Sequence, residues 1–170
     1  MHNVECKLEL RDPAIARAAI LRLGGAHAGT LVQTDTYFRV PTGRLKKRET
    51  VGEPDQWIRY DRINRLEPRL SHFDLFDERT AIERFGSRPL PVLCVVRKTR
   101  ELYTADHVRI HLDDVEGLGR FIEFEALVSR TNNVVKCHAA VRRLREAMGP
   151  ALGEPISLSY SDMVMPADES

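Results

Sequence analysis

Apolar and polar positions alternate along most of the chain. In residues 4–10, four apolar side chains alternate with Glu5, Lys7 and Glu9, and this period of two predicts a β-strand with one polar face. The same pattern predicts further strands at 30–40, 43–49, 56–62, 91–103, 107–115 and 119–126. A last short strand or turn is expected within 156–164.

Three segments carry helix signals between these strands. The first helix begins at Asp12, a residue suited to an N-cap, and ends at the glycines 24–25. Helical spacing of apolar residues predicts a second helix over 73–86. A third helix is expected from an N-cap at Thr131 to Met148, where a Gly-Pro pair follows.

The composition is that of a globular protein, with 170 residues of which 42% are hydrophobic and 30% charged. No linker, repeat or low-complexity segment interrupts it, so a single domain over residues 1–170 is predicted. No run of about 18 apolar residues exists and the N-terminal segment is charged, so we expect a cytoplasmic protein with no membrane partner. The 26 basic and 25 acidic residues nearly cancel, which disfavours nucleic acid as a partner. Monomer and homodimer both stay open.

The polar faces of the predicted strands each carry mainly one sign of charge. They are basic in 43–49 and 91–103 and acidic in 119–126. An open antiparallel sheet with one solvated face is one interpretation, but such faces usually mix both signs with Ser, Thr, Asn and Gln. A sheet with this many strands closes readily into a barrel, because closure removes the exposed edges. We therefore predict a barrel that turns its charged side inward and its apolar side toward the helices.

A charged lumen favours a bound polyanion and a metal ion, because buried unpaired charges are costly. Glu123 and Glu125, joined by Glu5, could hold Mg²⁺, which proteins bind through one or two carboxylates together with water and phosphate oxygens. Seven basic side chains share the inward face and are suited to phosphate: Lys7, Lys46, Arg48, Arg62, Lys98, Arg100 and Arg109. Arg59 could take the place of Arg62 in another register of that strand.

Five segments, taken in order, also carry a family resemblance. They are N-V-E-C-K, Q-T-D-T-Y-F with G-R-L-K-K-R-E after it, V-R-K-T-R-E-L-Y, V-R-I-H-L-D-D-V-E-G-L-G-R-F-I-E-F-E and S-Y-S-D, and they span residues 3–162. Together they resemble the CYTH family, the triphosphate tunnel metalloenzymes, which includes class IV adenylyl cyclases, thiamine triphosphatases and inorganic triphosphatases. The likeness is greatest to bacterial members provisionally named class IV adenylyl cyclases.

The resemblance implies an α+β fold with an eight-stranded antiparallel β-barrel, a charged tunnel and about three flanking helices. It implies that the basic side chains above hold a triphosphate, and that Glu5, Glu123 and Glu125, with Asp113 beside them, hold one or two metal ions. Mg²⁺ is expected, with Mn²⁺ as the alternative. Asn3 stands at the first position of the family signature Glu-x-Glu-x-Lys. An uncharged amide oxygen binds Mg²⁺ more weakly, which weakens a second metal site.

Phosphoryl or nucleotidyl transfer is the implied chemistry. We expect hydrolysis of an inorganic, nucleoside or thiamine triphosphate, with Tyr37, Lys98 and Arg100 as catalytic side chains and Tyr37 as a candidate general base. Tyr37 could equally be a buried aromatic residue with a satisfied hydroxyl. Conversion of ATP to cyclic AMP and pyrophosphate is the alternative, and a non-catalytic module that binds polyphosphate or a nucleotide is a second one. His111 is expected to be a hydrogen-bonded neighbour of the metal carboxylates.

Overall fold

Nine strands and four α-helices form the part of the chain that the computed structural model describes, residues 1–61 and 64–165. The strands are β1 (His2–Leu10), β2 (Ala26–Phe38), β3 (Arg44–Thr50), β4 (Gln56–Asp61), β5 (Arg69–Phe76), β6 (Val92–Ala105), β7 (Val108–Val115), β8 (Gly119–Leu127) and β9 (Leu152–Ile156). The helices are α1 (Pro13–Arg22), α2 (Glu78–Phe85), α3 (Val134–Ala147) and α4 (Tyr160–Val164), with a 3₁₀ turn at Gly149–Ala151. None of these helices is both long and apolar enough to cross a membrane.

Eight of the strands close into an antiparallel barrel. Their order is β5-β4-β3-β2-β6-β7-β8-β1, and β1 pairs back to β5 through partners that include His2 with His72 and Glu5 with Arg69. The short β9 pairs with Lys7–Leu10 of β1, on the edge opposite β8 and beyond the part of that edge that pairs with β5. Closure gives every barrel strand two neighbours, and the predicted α+β fold with an eight-stranded antiparallel barrel is confirmed.

The main apolar core lies between the outer face of the barrel and two helices. Ile110 and Phe124 of β7 and β8 are fully buried there, together with Ile20 of α1 and Val141 of α3. Their alternation with charged residues sends the opposite side chains inward. The helices thus supply the apolar partner that leaves the charged strand faces to line the lumen.

The predicted helix over 73–86 was wrong in its first five residues. Residues as far as Phe76 belong to β5, and only Glu78–Phe85 are helical. The pairing of β5 with both β4 and β1 closes the barrel, and this long-range hydrogen bonding overrides the local helical spacing. Asp77 then caps α2 by accepting a hydrogen bond from the backbone N–H of Thr80 at 2.9 Å.

The C-terminal part also differs from the sequence-based expectation. Asn133, rather than Thr131, caps α3 by accepting a hydrogen bond from the N–H of Lys136. The segment 156–164, expected to be a strand or turn, contains α4, which begins after a capping box formed by Ser159 and Asp162. The structure therefore has four α-helices among its described residues where about three were predicted.

Candidate active site in the barrel lumen

Inward-facing side chains from all eight barrel strands surround one cavity. Its volume is about 240 Å³, far more than the roughly 15 Å³ that one water needs. One end is bounded by Ser159 and Tyr160 at the start of α4. Tyr160 belongs to a buried apolar cluster that includes side chains of four barrel strands. At the other end, the lumen-facing positions of β2 and β6 become apolar at Leu31 and Leu102. The basic residues expected to bind phosphate that line the cavity are Lys7, Lys46, Arg48, Lys98, Arg100 and Arg109.

Asp35 lies at the centre of a basic cluster. Its side chain is fully buried, and Arg48 donates two hydrogen bonds to it, each 2.7 Å long. Lys46 and Lys98 donate further hydrogen bonds to the same carboxylate at 3.0 and 3.1 Å. Burial by itself would raise the pKa of Asp35, but the three cations hold this pKa well below its usual value. Asp35 therefore stays ionised and gathers three cationic side chains in one part of the lumen.

Arg100 connects the basic cluster to the acidic side of the lumen. It donates two hydrogen bonds to Asp113, at 2.7 and 2.6 Å, and another to Glu123 at 3.0 Å. Tyr160 donates its hydroxyl hydrogen to the same Asp113 at 2.7 Å. Burial raises the pKa of Asp113, but Arg100 outweighs it and the pKa is lowered to about 2. Both oxygens of Asp113 are thus engaged by side chains of the protein.

His111, Glu123 and Glu125 form a compact group of metal-binding side chains. One ligand atom from each can be chosen so that all three lie within 4.8 Å of one another. His111 and Glu123 are direct partners across β7 and β8, and Glu125 lies two residues farther along β8. His111 Nδ1 is 3.6 Å from Glu123 Oε2, and His111 Nε2 is 3.9 Å from Glu125 Oε2.

Glu5 and Asn3 lie beside this group on β1. Glu5 is the β-sheet partner of Glu125, but its carboxylate is 3.5 Å from Arg69 Nε and is not one of the three clustered ligands. Asn3 is 4% exposed, and its Oδ1 accepts no hydrogen bond from the described residues. The four predicted acidic residues therefore lie in three places. Glu123 and Glu125 belong to the cluster, whereas Glu5 lies beside Arg69 and Asp113 is held by Arg100.

Comparison with known proteins identifies the family. The family model described as CYTH domain matches residues 1–151 of the chain. The chain belongs to the CYTH domain family. CYTH proteins bind triphosphate substrates and depend on a metal ion.

Relatives of this CYTH chain cover nearly its whole length. A Methanocaldococcus jannaschii protein provisionally named an adenylate cyclase is 24% identical over 175 residues, covering 96% of this chain and 98% of that protein. A solved structure of a Pyrococcus horikoshii protein superposes with a TM-score of 0.77 at 21% identity and covers 95% of this chain and 99% of that one. A Hippeastrum protein provisionally named an adenylyl cyclase, and described as having a dominant triphosphatase activity, gives 0.61 at 16% identity, covering 96% and 93%. These structures establish the common fold.

The other predicted phosphate-binding residues of the CYTH lumen differ in exposure. Lys7 is buried, lies 3.4 Å from Glu123 Oε1 and sits 3.8 Å above the ring of Tyr160. Arg109 is 48% exposed and lies 3.8 Å from Glu125. Arg62 lies outside the described residues. Its alternative, Arg59, points away from the lumen and donates a hydrogen bond to Thr42 at 3.1 Å.

Tyr37 lies beside the basic cluster, opposite Lys46 across β2 and β3. Lys46 Nζ is 3.5 Å from the Tyr37 hydroxyl, to which it donates a weak hydrogen bond. Burial, with the nearby Tyr60 and Asp35, raises the pKa of Tyr37 well above its usual value. Burial also lowers the pKa of Lys46 from its usual value. The phenol is therefore protonated at neutral pH when the lumen holds no substrate.

The donor set fits a divalent metal ion. Two carboxylates and one imidazole converge, and His111 Nδ1 is buried without a hydrogen-bond partner among the described residues. A buried nitrogen without a partner is costly, and coordination would satisfy it. Glu123 and Glu125, with His111, are thus the side chains placed to hold an ion.

Three lumen residues were missed by the sequence analysis. Asp35 shares the inward face with Tyr37, so the period-two pattern that marked the basic residues could have identified it. Tyr160 lies in the S-Y-S-D segment of the family resemblance, but no local pattern placed it in the lumen, and Arg69 had no local signal. Tyr160 reaches Asp113 across 47 positions, and Arg69 meets Glu5 only where β5 closes the barrel.

Proposed function

We propose that this CYTH protein is a metal-dependent enzyme that binds a triphosphate in the barrel lumen and hydrolyses it. The proposal depends on one observation: a buried basic cluster and a group of metal-binding side chains share the same cavity. Arg100 contacts the acidic side directly, through its 3.0 Å hydrogen bond to Glu123. A phosphate chain and a metal ion could therefore lie side by side in this lumen.

The basic side chains would bind the phosphate chain. Lys46, Arg48 and Lys98 are already positioned by Asp35, so little reorganisation is needed when phosphate oxygens arrive. The residues proposed to bind phosphate are the same as those predicted from the sequence: Lys7, Lys46, Arg48, Arg62, Lys98, Arg100 and Arg109. Lys98 and Arg100, which are neighbours on one face of β6, would contact the phosphoryl group that is transferred.

The acidic side chains would hold the metal ion, for which Mg²⁺ and Mn²⁺ are the candidates. Glu123 and Glu125 would be direct ligands. Glu5 and Asp113 complete the proposed acidic set, although Arg69 and Arg100 are their present partners. A bound divalent ion would screen the negative charge on the phosphate oxygens and so favour attack on phosphorus.

Hydrolysis requires a water molecule to attack the terminal phosphorus while the bond to the bridging oxygen breaks. Tyr37 is the proposed side chain next to this water, at the α4 end of the lumen. Its raised pKa opposes a role as general base in the substrate-free protein. The hydroxyl is, however, suited to orient the water or a phosphate oxygen by hydrogen bonding.

A cyclase is the second candidate, and one feature of the lumen favours it. Along β2 and β6 the inward positions change from charged residues to Leu31 and Leu102, which gives the end remote from Tyr160 an apolar wall. Such a wall suits the organic part of a nucleoside triphosphate. The M. jannaschii relative is also provisionally named an adenylate cyclase.

The deciding experiment measures products from ATP, tripolyphosphate and thiamine triphosphate with Mg²⁺ or Mn²⁺. Orthophosphate release supports the hydrolase, and cyclic AMP with pyrophosphate supports the cyclase. Glu123→Gln should abolish metal-dependent turnover, whereas the control Glu116→Gln, at an exposed turn outside the lumen, should retain it. Tight triphosphate binding without any turnover would instead identify a non-catalytic binding module.

A further inference from the structure

We propose that His111 is a nitrogen ligand of the metal site and makes this site prefer first-row transition-metal ions such as Mn²⁺ and Co²⁺ over Mg²⁺. The inference rests on the proposed function only in placing a metal ion at Glu123 and Glu125. The two glutamates offer the ion only oxygen ligands, and His111 adds a nitrogen ligand.

The geometry around His111 matches shared coordination. Two ligand atoms, each about 2.1 Å from one ion, are separated by roughly 3.0 Å at a right angle and 4.2 Å when opposite. The 3.6 Å between His111 Nδ1 and Glu123 Oε2 lies within this range. One ligand atom from each of His111, Glu123 and Glu125 can be chosen so that all three lie within 4.8 Å of one another, so a small side-chain movement would bring Glu125 to the same ion. The pairing of β7 with β8 fixes these side chains on one wall of the lumen.

The burial of His111 is a second, independent observation. The side chain is 4% exposed, and Nδ1 makes no hydrogen bond within 3.5 Å to the residues that the structure describes, its contact to Glu123 Oε2 being 3.6 Å. A buried ring nitrogen normally bonds to a donor or acceptor. An ion held between Nδ1 and Glu123 would provide the missing partner.

The neighbouring side chains on β1 cannot easily replace the imidazole as a ligand. Asn3 offers an uncharged oxygen, and Glu5 lies 3.5 Å from Arg69. Within residues 1–61 and 64–165, the cluster therefore consists of two carboxylates and one nitrogen. Mg²⁺ prefers oxygen ligands and retains its waters, whereas first-row transition-metal ions accept an imidazole nitrogen more readily, with an affinity that rises from Mn²⁺ to Co²⁺.

The neighbouring cations also distinguish the two carboxylates. Glu123 is contacted by Lys7 at 3.4 Å and by Arg100 at 3.0 Å. Glu125 is approached by the half-exposed Arg109 at 3.8 Å. An ion that binds Glu123 would compete with Arg100 for its Oε2, which would leave Arg100 available to a phosphate oxygen.

The test measures Mn²⁺ binding by electron paramagnetic resonance, with Mg²⁺ as competitor and no substrate present. Spin-echo modulation then reports whether a ¹⁴N nucleus is coupled to bound Mn²⁺. We expect this coupling in the unmodified protein and its loss in His111→Gln. Mn²⁺ affinity should fall by about tenfold or more in that variant, while Mg²⁺ affinity changes little. Co²⁺ binding, followed by visible absorption, should weaken in parallel.

His27→Gln is the matched control, because His27 is exposed outside the lumen and should leave both the coupling and the affinities unchanged. Unfolding midpoints and tripolyphosphate binding without metal check that His111→Gln is folded. His111→Asn provides a second variant if it is not. Mn²⁺ bound without ¹⁴N coupling, or unchanged selectivity in the folded variants, overturns the role of His111 and leaves the hydrolase proposal standing. If the protein binds no divalent ion, or if Glu123→Gln removes none of the binding, both the role of His111 and the hydrolase proposal are overturned.

Discussion

The hydroxyl of Tyr160 donates a 2.7 Å hydrogen bond to the buried carboxylate of Asp113. The ring of the same tyrosine lies under Lys7, whose Nζ is 3.8 Å from the ring centroid. Lys7 in turn donates a hydrogen bond to the carbonyl oxygen of Leu158 at 3.2 Å. These contacts attach the C-terminal segment to the lumen and close one end of the barrel.

Removal of that hydroxyl should destabilise the protein. Tyr160→Phe keeps the ring but leaves Asp113 with one donor fewer, so we expect the free energy of unfolding to fall by about 1–3 kcal/mol. Denaturant unfolding measures the loss. The matched control is Tyr103→Phe, whose hydroxyl donates to Glu101 at 3.0 Å on the partly exposed outer side. An equal or smaller loss in Tyr160→Phe than in this control would contradict the assigned importance of the contact.

Neutralising Asp35 should leave the buried guanidinium of Arg48 without its counter-ion and the amino groups of Lys46 and Lys98 without their shared carboxylate acceptor. We expect Asp35→Asn to lose about 3–5 kcal/mol of stability at pH 7, because one partner of a buried charge network is removed. Because the folded pKa of Asp35 lies well below 3.8, its contribution is present above that value and is lost as the pH falls further. Unfolding measured against pH should therefore show a smaller loss in acid for the variant than for the unmodified protein. Parallel pH curves for the two proteins would refute the assignment.

Triphosphate binding should be accompanied by proton uptake near pH 8. Burial lowers the pKa of Lys98 to about 7, although Asp35 opposes this shift. A bound polyanion favours the ammonium form, so the pKa should rise and Lys98 should take up a proton on binding. Calorimetry in two buffers with different ionisation enthalpies measures this uptake. It should decrease in Lys98→Met but not in Lys47→Met, a lysine paired with Asp55 outside the lumen.

The side of the strand on which an arginine lies should decide its effect on substrate binding. Arg48 faces the lumen and holds Asp35, whereas Arg59 on the adjacent β4 points outward. Arg48→Gln should therefore weaken tripolyphosphate binding by about tenfold or more, since a hydrogen bond between charged groups contributes about 1.5–3 kcal/mol. Arg59→Gln should have little effect. Calorimetric titration compares the two variants, and similar affinities would contradict the assignment of Arg48 to the lumen and Arg59 to the outer face.

The predictions that succeeded from the sequence depend on local periodicity. Lys98 and Arg100 lie two residues apart on a strand, as do Glu123 and Glu125, so alternation alone places each pair on one face. The apolar residues between them had to be covered by helices, which left the charged faces to turn inward once the sheet closed. The barrel, its charged lumen and most of the charged side chains that line it could therefore be inferred from the sequence.

The tertiary structure decided which of those charges meet. Asp113 is held by Arg100 and by Tyr160, 47 positions away, and Glu5 meets Arg69 only because β1 pairs with β5. For the same reason the residues up to Phe76 are a strand rather than the predicted helix. A sequence by itself determines the face on which a side chain lies, because alternation follows from backbone geometry. The partner of that side chain depends on which distant strands pair, and only the closed barrel determines that.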